Sequence, residues 1–117
     1  MYRILIADDS LYARINLKTI LTEAGHEVIG EASDGFEAVA KYRSLSPDIV
    51  TMDITMPMLN GVDALKQIIE FDKNARVIMM TAIGKPEKVL ECLNSGAKRF
   101  ITKPFEKGDV LKALDEA

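Results

Sequence analysis

The chain has 117 residues, 48% of them apolar and 28% charged, which suits one compact domain with a core of its own. Its formal net charge of -3 argues against a nucleic-acid surface, which carries a basic excess, and no apolar run approaches the ~20 residues of a membrane span. Met1 to Ala7 leads straight into Asp8 and Asp9 without a signal-peptide pattern, and the single Cys92 cannot form an internal disulfide, so a reducing, cytoplasmic setting is expected.

Tyr2 to Ala7 is a short apolar strand that runs into Asp8-Asp9. Ser10 is a good helix N-cap; Ala13, Leu17, Ile20, Leu21 and Ala24 follow at helical spacing, and Gly25 supplies the stop. Glu27 to Ala32 reads as a second strand. Asp34 and Glu37 have capping-box spacing, and the helix after them, marked by Ala38, Val39, Tyr42 and Leu45, closes at Pro47. Asp48 to Asp53 is a third strand, apolar enough to be buried on both faces. Asn60-Gly61 is a turn and helix start, followed by Leu65, Ile68 and Ile69. Arg76 to Thr81 is a fourth strand, and Pro86 fits the first turn of a helix carrying Val89, Leu90 and Leu93 that stops at Gly96. Arg99 to Thr102 is a short fifth strand, and Glu106 to Glu116 a last helix with Val110, Leu111 and Leu114 on one face.

Five βα units in succession predict an α/β fold, an open doubly wound five-stranded parallel sheet with helices on both faces, in one domain spanning residues 1–117. Ligands of such sheets sit outside the carboxyl ends of the strands. Those ends carry Asp8-Asp9, Asp53, Thr81 and Lys103-Pro104, while the second strand ends in Ala32-Ser33. A carboxylate beside apolar surface needs a partner, and two carboxylates about 4 Å apart repel by roughly 4 kcal/mol at an effective dielectric of 20. A divalent cation relieves that repulsion, and oxygen-only ligands suit a hard ion such as Mg²⁺ (or Mn²⁺). A metal, an ammonium and a hydroxyl around one aspartate could hold a phosphoryl group attached to it. Taken singly, each group has a structural explanation as a cap, a strand end or a turn; their joint placement at one sheet edge points to chemistry.

Asp8-Asp9, the run from Met52 to Gly61, Thr81-Ala82 and Lys103-Pro104 resemble the receiver domain of bacterial two-component response regulators, most closely its single-domain chemotaxis members. The likeness covers essentially the whole chain and implies the strand order 2-1-3-4-5. It implies Asp53 as phosphoacceptor from a histidine kinase, and a metal held by Asp8, Asp9, Asp53 and the backbone carbonyl of Thr55. It implies contact of Lys103 with the phosphoryl oxygens, a cis peptide before Pro104, and a switch that couples Thr81 to Phe100. Thr55 and Ile83 flank the site and would tune how fast phosphate is lost; apolar Ile83 would hinder water. The output surface would be the fourth helix, fifth strand and fifth helix, which would face a flagellar motor switch protein or another effector. A monomer without nucleic-acid or membrane contact is expected, acting as a signalling phosphoacceptor rather than an enzyme. The uncapped end at Ala117 also fits a receiver trimmed from a larger regulator such as a transcription factor, or a phosphorelay intermediate, although the start at Met1 favours a single-domain protein.

Two other classes fit less well. An aspartyl-phosphate phosphatase would carry a second Asp at position 55, which is Thr55. A flavodoxin-like cofactor binder would need a Gly-, Ser- or Thr-rich loop where Asp8-Asp9 stand. His26, in a loop without metal partners, and Cys92, read as half-buried, carry no expected chemistry.

Overall fold

The computed structural model describes residues 1–82 and 86–117. Five strands alternate with five helices: β1 (Arg3–Ala7), α1 (Leu11–Glu23), β2 (Glu27–Ala32), α2 (Gly35–Leu45), β3 (Ile49–Asp53), α3 (Gly61–Phe71), β4 (Val77–Ala82), α4 (Pro86–Asn94), β5 (Arg99–Lys103) and α5 (Lys107–Glu116). The strands pair in parallel in the order β2-β1-β3-β4-β5. No helix among the described residues is long and apolar enough to cross a membrane.

The three central strands, β1, β3 and β4, are apolar on both sides because both sides are covered. Leu5, Ala7, Val50, Met52, Val77 and Met79 pack in one cluster with residues of α2, α3 and α4. Ile4, Ile6, Ile49, Ile78, Met80 and Ile101 pack in the other with α1 and α5. Successive strand residues therefore alternate between two cores, and every fully apolar strand seen in the sequence has a layer on each side.

The helix ends follow local chemistry in part. Ser10 Oγ accepts from Ala13 N–H at 3.2 Å, and Gly25 and Gly96 take φ of 91° and 112° at the predicted stops. The predicted capping box of α2 is shifted: Asp34 caps Glu37 N–H, but the Glu37 carboxylate reaches back to Ser33 N–H at 2.7 Å instead of to Asp34. α2 ends on Ser46 in the left-handed region, φ 47°, before Pro47 is reached, and the Arg3 guanidinium donates to the carbonyls of Leu45 and Ser46. His26 is also more than a loop residue. Its Nδ1 accepts from Tyr2 N–H at 3.0 Å and its ring stacks on Tyr2.

One core group lacks a partner. Thr51 is 1% exposed in the middle of β3, in register between Ile6 and Ile78, and its hydroxyl makes no hydrogen bond among the described residues. A buried hydroxyl without a partner costs more than an apolar group of the same shape. Thr51→Val is therefore expected to stabilise the fold by about 1 kcal/mol. Urea unfolding should show a higher midpoint with an unchanged slope.

Candidate functional site

β1 has β2 on one side and β3 on the other, so the chain reverses its direction of travel across the sheet between β1 and β3. Such a reversal opens a crevice at the carboxyl ends of the two strands. Asp8 follows β1 and Asp53 ends β3, on either side of that crevice.

Asp8 is held through nearly all its polar atoms. Its N–H donates to Ala32 O at 2.9 Å, Oδ1 accepts from Ser10 N–H at 2.9 Å, and Oδ2 accepts from Lys103 Nζ at 2.7 Å. Asp53 Oδ2 accepts from the same ammonium at 3.3 Å, and its Oδ1 accepts from Thr55 N–H at 3.3 Å. Lys103 thus reaches across from the end of β5 and lies between the two buried carboxylates; the peptide that follows it, Lys103-Pro104, is cis. Asp9 is exposed, and one carboxylate oxygen from each of Asp8, Asp9 and Asp53 lies within 4.8 Å of the others.

The charges do not balance. Three carboxylates face one ammonium, which leaves two net negative charges in a largely buried space. Burial pushes the Asp53 carboxyl above the usual range; Lys103 pulls it down and Asp8 pushes it up again, and the net direction is up. Burial also disfavours the Lys103 ammonium, but its hydrogen bond to Asp8 and the charges of Asp53 and Asp8 outweigh it, so lysine too is held above its ordinary value. The Lys103 shift reflects the excess of negative charge around it, while the Asp53 shift is chiefly the cost of burial. A divalent cation would neutralise the cluster, and the donors are all oxygen, the set that a hard ion prefers. The residues present fit Mg²⁺ or Mn²⁺.

The other expected residues are placed less uniformly. Thr81 is buried at the end of β4, but its hydroxyl donates to the Ala82 carbonyl at 3.2 Å and not to Asp53. Thr55 is exposed on the loop after β3. Phe100, paired in register with Met79, is 45% exposed on the edge strand. Ile83 lies outside the described residues. Cys92 is fully buried, because it is the inward side chain of α4, and burial pushes its thiol up. Met56 is buried as well, while Met58 beside it is exposed with φ 70°.

Three residues at the site were not singled out for it in the sequence. Gly61 starts α3 hard against the Asp53 backbone. Arg14 and Glu31 pair at 3.1 Å behind the β1–α1 loop, and Arg14 Nη1 donates to the Asp8 carbonyl at 2.6 Å. The Asn-Gly turn was a signal for the first. Nothing local marks the other two, which meet where α1 packs beside β2.

The profile of the response regulator receiver domain family matches residues 4–115. This chain belongs to that family. The chemotaxis protein CheY of Thermotoga maritima is 53% identical to this receiver over 114 residues, 97% of this chain and 95% of that protein. CheY of Bacillus subtilis is 48% identical over 115 residues, 98% of this chain and 96% of that one. Among solved structures, a crystal structure of the CheX–CheY–BeF3–Mg²⁺ complex from Borrelia burgdorferi superposes with a TM-score of 0.93 at 48% identity, covering 97% of the receiver and 86% of its own chain. The fold predicted from the sequence, with five parallel strands in the order 2-1-3-4-5, is that of the family.

Proposed function

We propose that this receiver is a chemotaxis-type response regulator that takes a phosphoryl group from a phosphohistidine onto Asp53. The observation that carries this reading is the convergence of Asp8, Asp9 and Asp53, with the Lys103 ammonium between the two buried carboxylates, at the reversal point of the sheet.

An Asp53 carboxylate oxygen forms the new P–O bond as the donor's P–N bond breaks, and the leaving imidazole takes up a proton. Such a transfer asks the protein chiefly for alignment and charge neutralisation. Asp53 is aligned by the Thr55 N–H and by its place at the end of a fully buried strand. Lys103, already on Asp53 Oδ2, is placed to follow the charge onto the phosphoryl oxygens. Asp8, Asp9, Asp53 and the Thr55 carbonyl would hold Mg²⁺, which when bound offsets negative charge on the carboxylates and the phosphoryl group. Thr81 would turn its hydroxyl from the Ala82 carbonyl toward the phosphoryl group, and Phe100, at the edge of the sheet, would report that change by burying its ring. Thr55 and Ile83 would set the lifetime of the phosphoryl state.

The output surface would be α4–β5–α5. Leu90 and Phe100 are exposed there, and a groove of about 370 Å³ runs between β5 and α5, lined by Phe100, Lys112 and Glu116 among others. A flagellar motor switch protein or a CheX-type partner is the expected occupant, by likeness to the named CheY proteins and the Borrelia complex. A cytoplasmic monomer is the form in which we expect it to act.

The reading is tested by incubation with Mg²⁺ and a small phosphodonor, followed by intact mass. The parent should gain one phosphoryl group and Asp53→Asn none. Equal labelling of both would remove Asp53 from its role.

A further inference from the structure

Arg14 lies on the first turns of α1, with its side chain only 15% exposed. It makes two directed contacts: Nη1 donates to the backbone carbonyl of Asp8 at 2.6 Å, and Nε donates to Glu31 Oε1 at 3.1 Å. Glu31 is on β2, next to the strand that leads into Asp8, and Lys18 Nζ approaches its other oxygen at 3.8 Å. A guanidinium spans two acceptors in fixed directions because its N–H groups form a rigid planar fork.

The carbonyl it grips has a special place. It belongs to the peptide that joins Asp8 to Asp9. That peptide is planar, so fixing the direction of the Asp8 C=O also fixes the direction in which the chain leaves toward the Asp9 Cα. The Asp8 side chain is pinned by Ser10 N–H and Lys103, but Asp9 is exposed and its carboxylate makes no hydrogen bond among the described residues. Its orientation toward the other two carboxylates therefore rests on the backbone. We infer that Arg14, oriented by Glu31, is a positioning residue that sets the angle between the Asp8 and Asp9 carboxylates and so the affinity of the site for a divalent cation.

This inference rests on the metal-dependent reading above and concerns residues that never touch the ion. Groups that orient metal ligands from behind typically change affinity by roughly 10- to 100-fold when removed. Isothermal titration of Mg²⁺ into the parent, Arg14→Ala, Arg14→Lys and Glu31→Gln reads the effect directly. Arg14→Ala should weaken Mg²⁺ about 10-fold, at the lower end of that range because Asp8 keeps its other contacts. Arg14→Lys, which can reach one acceptor but cannot fork to both, should recover part of the loss. Glu31→Gln should fall between the parent and Arg14→Ala. Labelling by a small phosphodonor should need more Mg²⁺ in Arg14→Ala yet reach the parent rate at saturation.

Parent binding with unchanged Mg²⁺ affinity in Arg14→Ala, whatever its melting temperature, would overturn the positioning role and leave the phosphoacceptor reading standing. Failure of the parent itself to bind Mg²⁺ would overturn both. If Arg14→Ala does not fold, Arg14→Lys and Glu31→Gln decide the matter: affinities equal to the parent in both would overturn the inference.

Discussion

Lys103→Ala is expected to lower stability by about 3 kcal/mol at neutral pH without metal, the low end of the range for removing one partner of a buried ion pair. The side chains involved are 28%, 8% and 12% exposed for Lys103, Asp8 and Asp53, so water does little to screen what remains. Without the ammonium, two buried carboxylates face each other with no countercharge. The pH dependence has a definite sign. Asp53 already titrates above its ordinary value, chiefly through burial, and loses the downward pull of Lys103 in the variant. A carboxyl raised in the folded state favours folding below its unfolded value of ~3.9, and that contribution is withdrawn as pH rises through the folded value. The deficit of the variant should therefore be largest at neutral pH and shrink toward about pH 4.

Lys103 itself works at the other end. Held above its ordinary value, it contributes stability in full below ~10.4, the unfolded lysine value, and loses it as pH rises through the folded one. Parent and variant should converge there too. Urea midpoints of both proteins across pH, with and without Mg²⁺, check this. Mg²⁺ at one fixed concentration should narrow the gap at neutral pH, since the variant site has one positive charge fewer, binds the dication more tightly and so gains more stability from it. A gap independent of pH and metal would show that Lys103 acts through packing of its stem and not through charge.

Gly61→Ala should be at least as damaging, with a loss of about 3 kcal/mol, the upper end of ordinary overpacking. A Cβ at Gly61 would lie 1.9 Å from the Asp53 carbonyl oxygen and 2.8 Å from its carbon, both backbone atoms of a strand that is buried along its whole length. No side-chain rotation relieves that clash. Either α3 moves away, which breaks the 2.8 Å bond from Gly61 N–H to Ile54 O, or the end of β3 moves and takes the Asp53 carboxylate with it. The second route ties fold to site, so the variant should lose Mg²⁺ affinity along with thermal stability. Thermal melts with and without Mg²⁺ separate the two: a lower melting temperature with an intact Mg²⁺-dependent rise would mean that α3 alone gave way.

The sheet was legible because its signals are local and repeated. Short segments with an apolar centre alternate with helical patterns five times along the chain, and each became a strand. The acidic cluster was legible for the same reason: strand-end residues need no tertiary knowledge beyond the rule that strand ends share an edge. What escaped depends on groups far apart in the chain. Arg3 caps α2 from 42 residues away, Tyr2 finds His26 across 24, and Arg14 finds Glu31 across 17. A charged residue on a helix looks the same in sequence whether it faces water or a carbonyl. The exposure of Phe100, by contrast, agrees with the place of β5 at the edge of the expected strand order.

α4 has a further consequence. Cys92 is the one fully buried side chain of this helix, while Leu90 is 60% exposed and Leu93 37%. α3, by contrast, buries Gly61, Val62, Ala64, Leu65 and Ile68. The ion pair from Lys66 to Glu91 that links the two helices is solvent-exposed and adds little. The free energy that holds α4 to the sheet is thus a small part of the total, and its amide protons should exchange with solvent well before those of α3. A domain with two well-filled cores carries one helix that is cheap to displace, next to the edge strand.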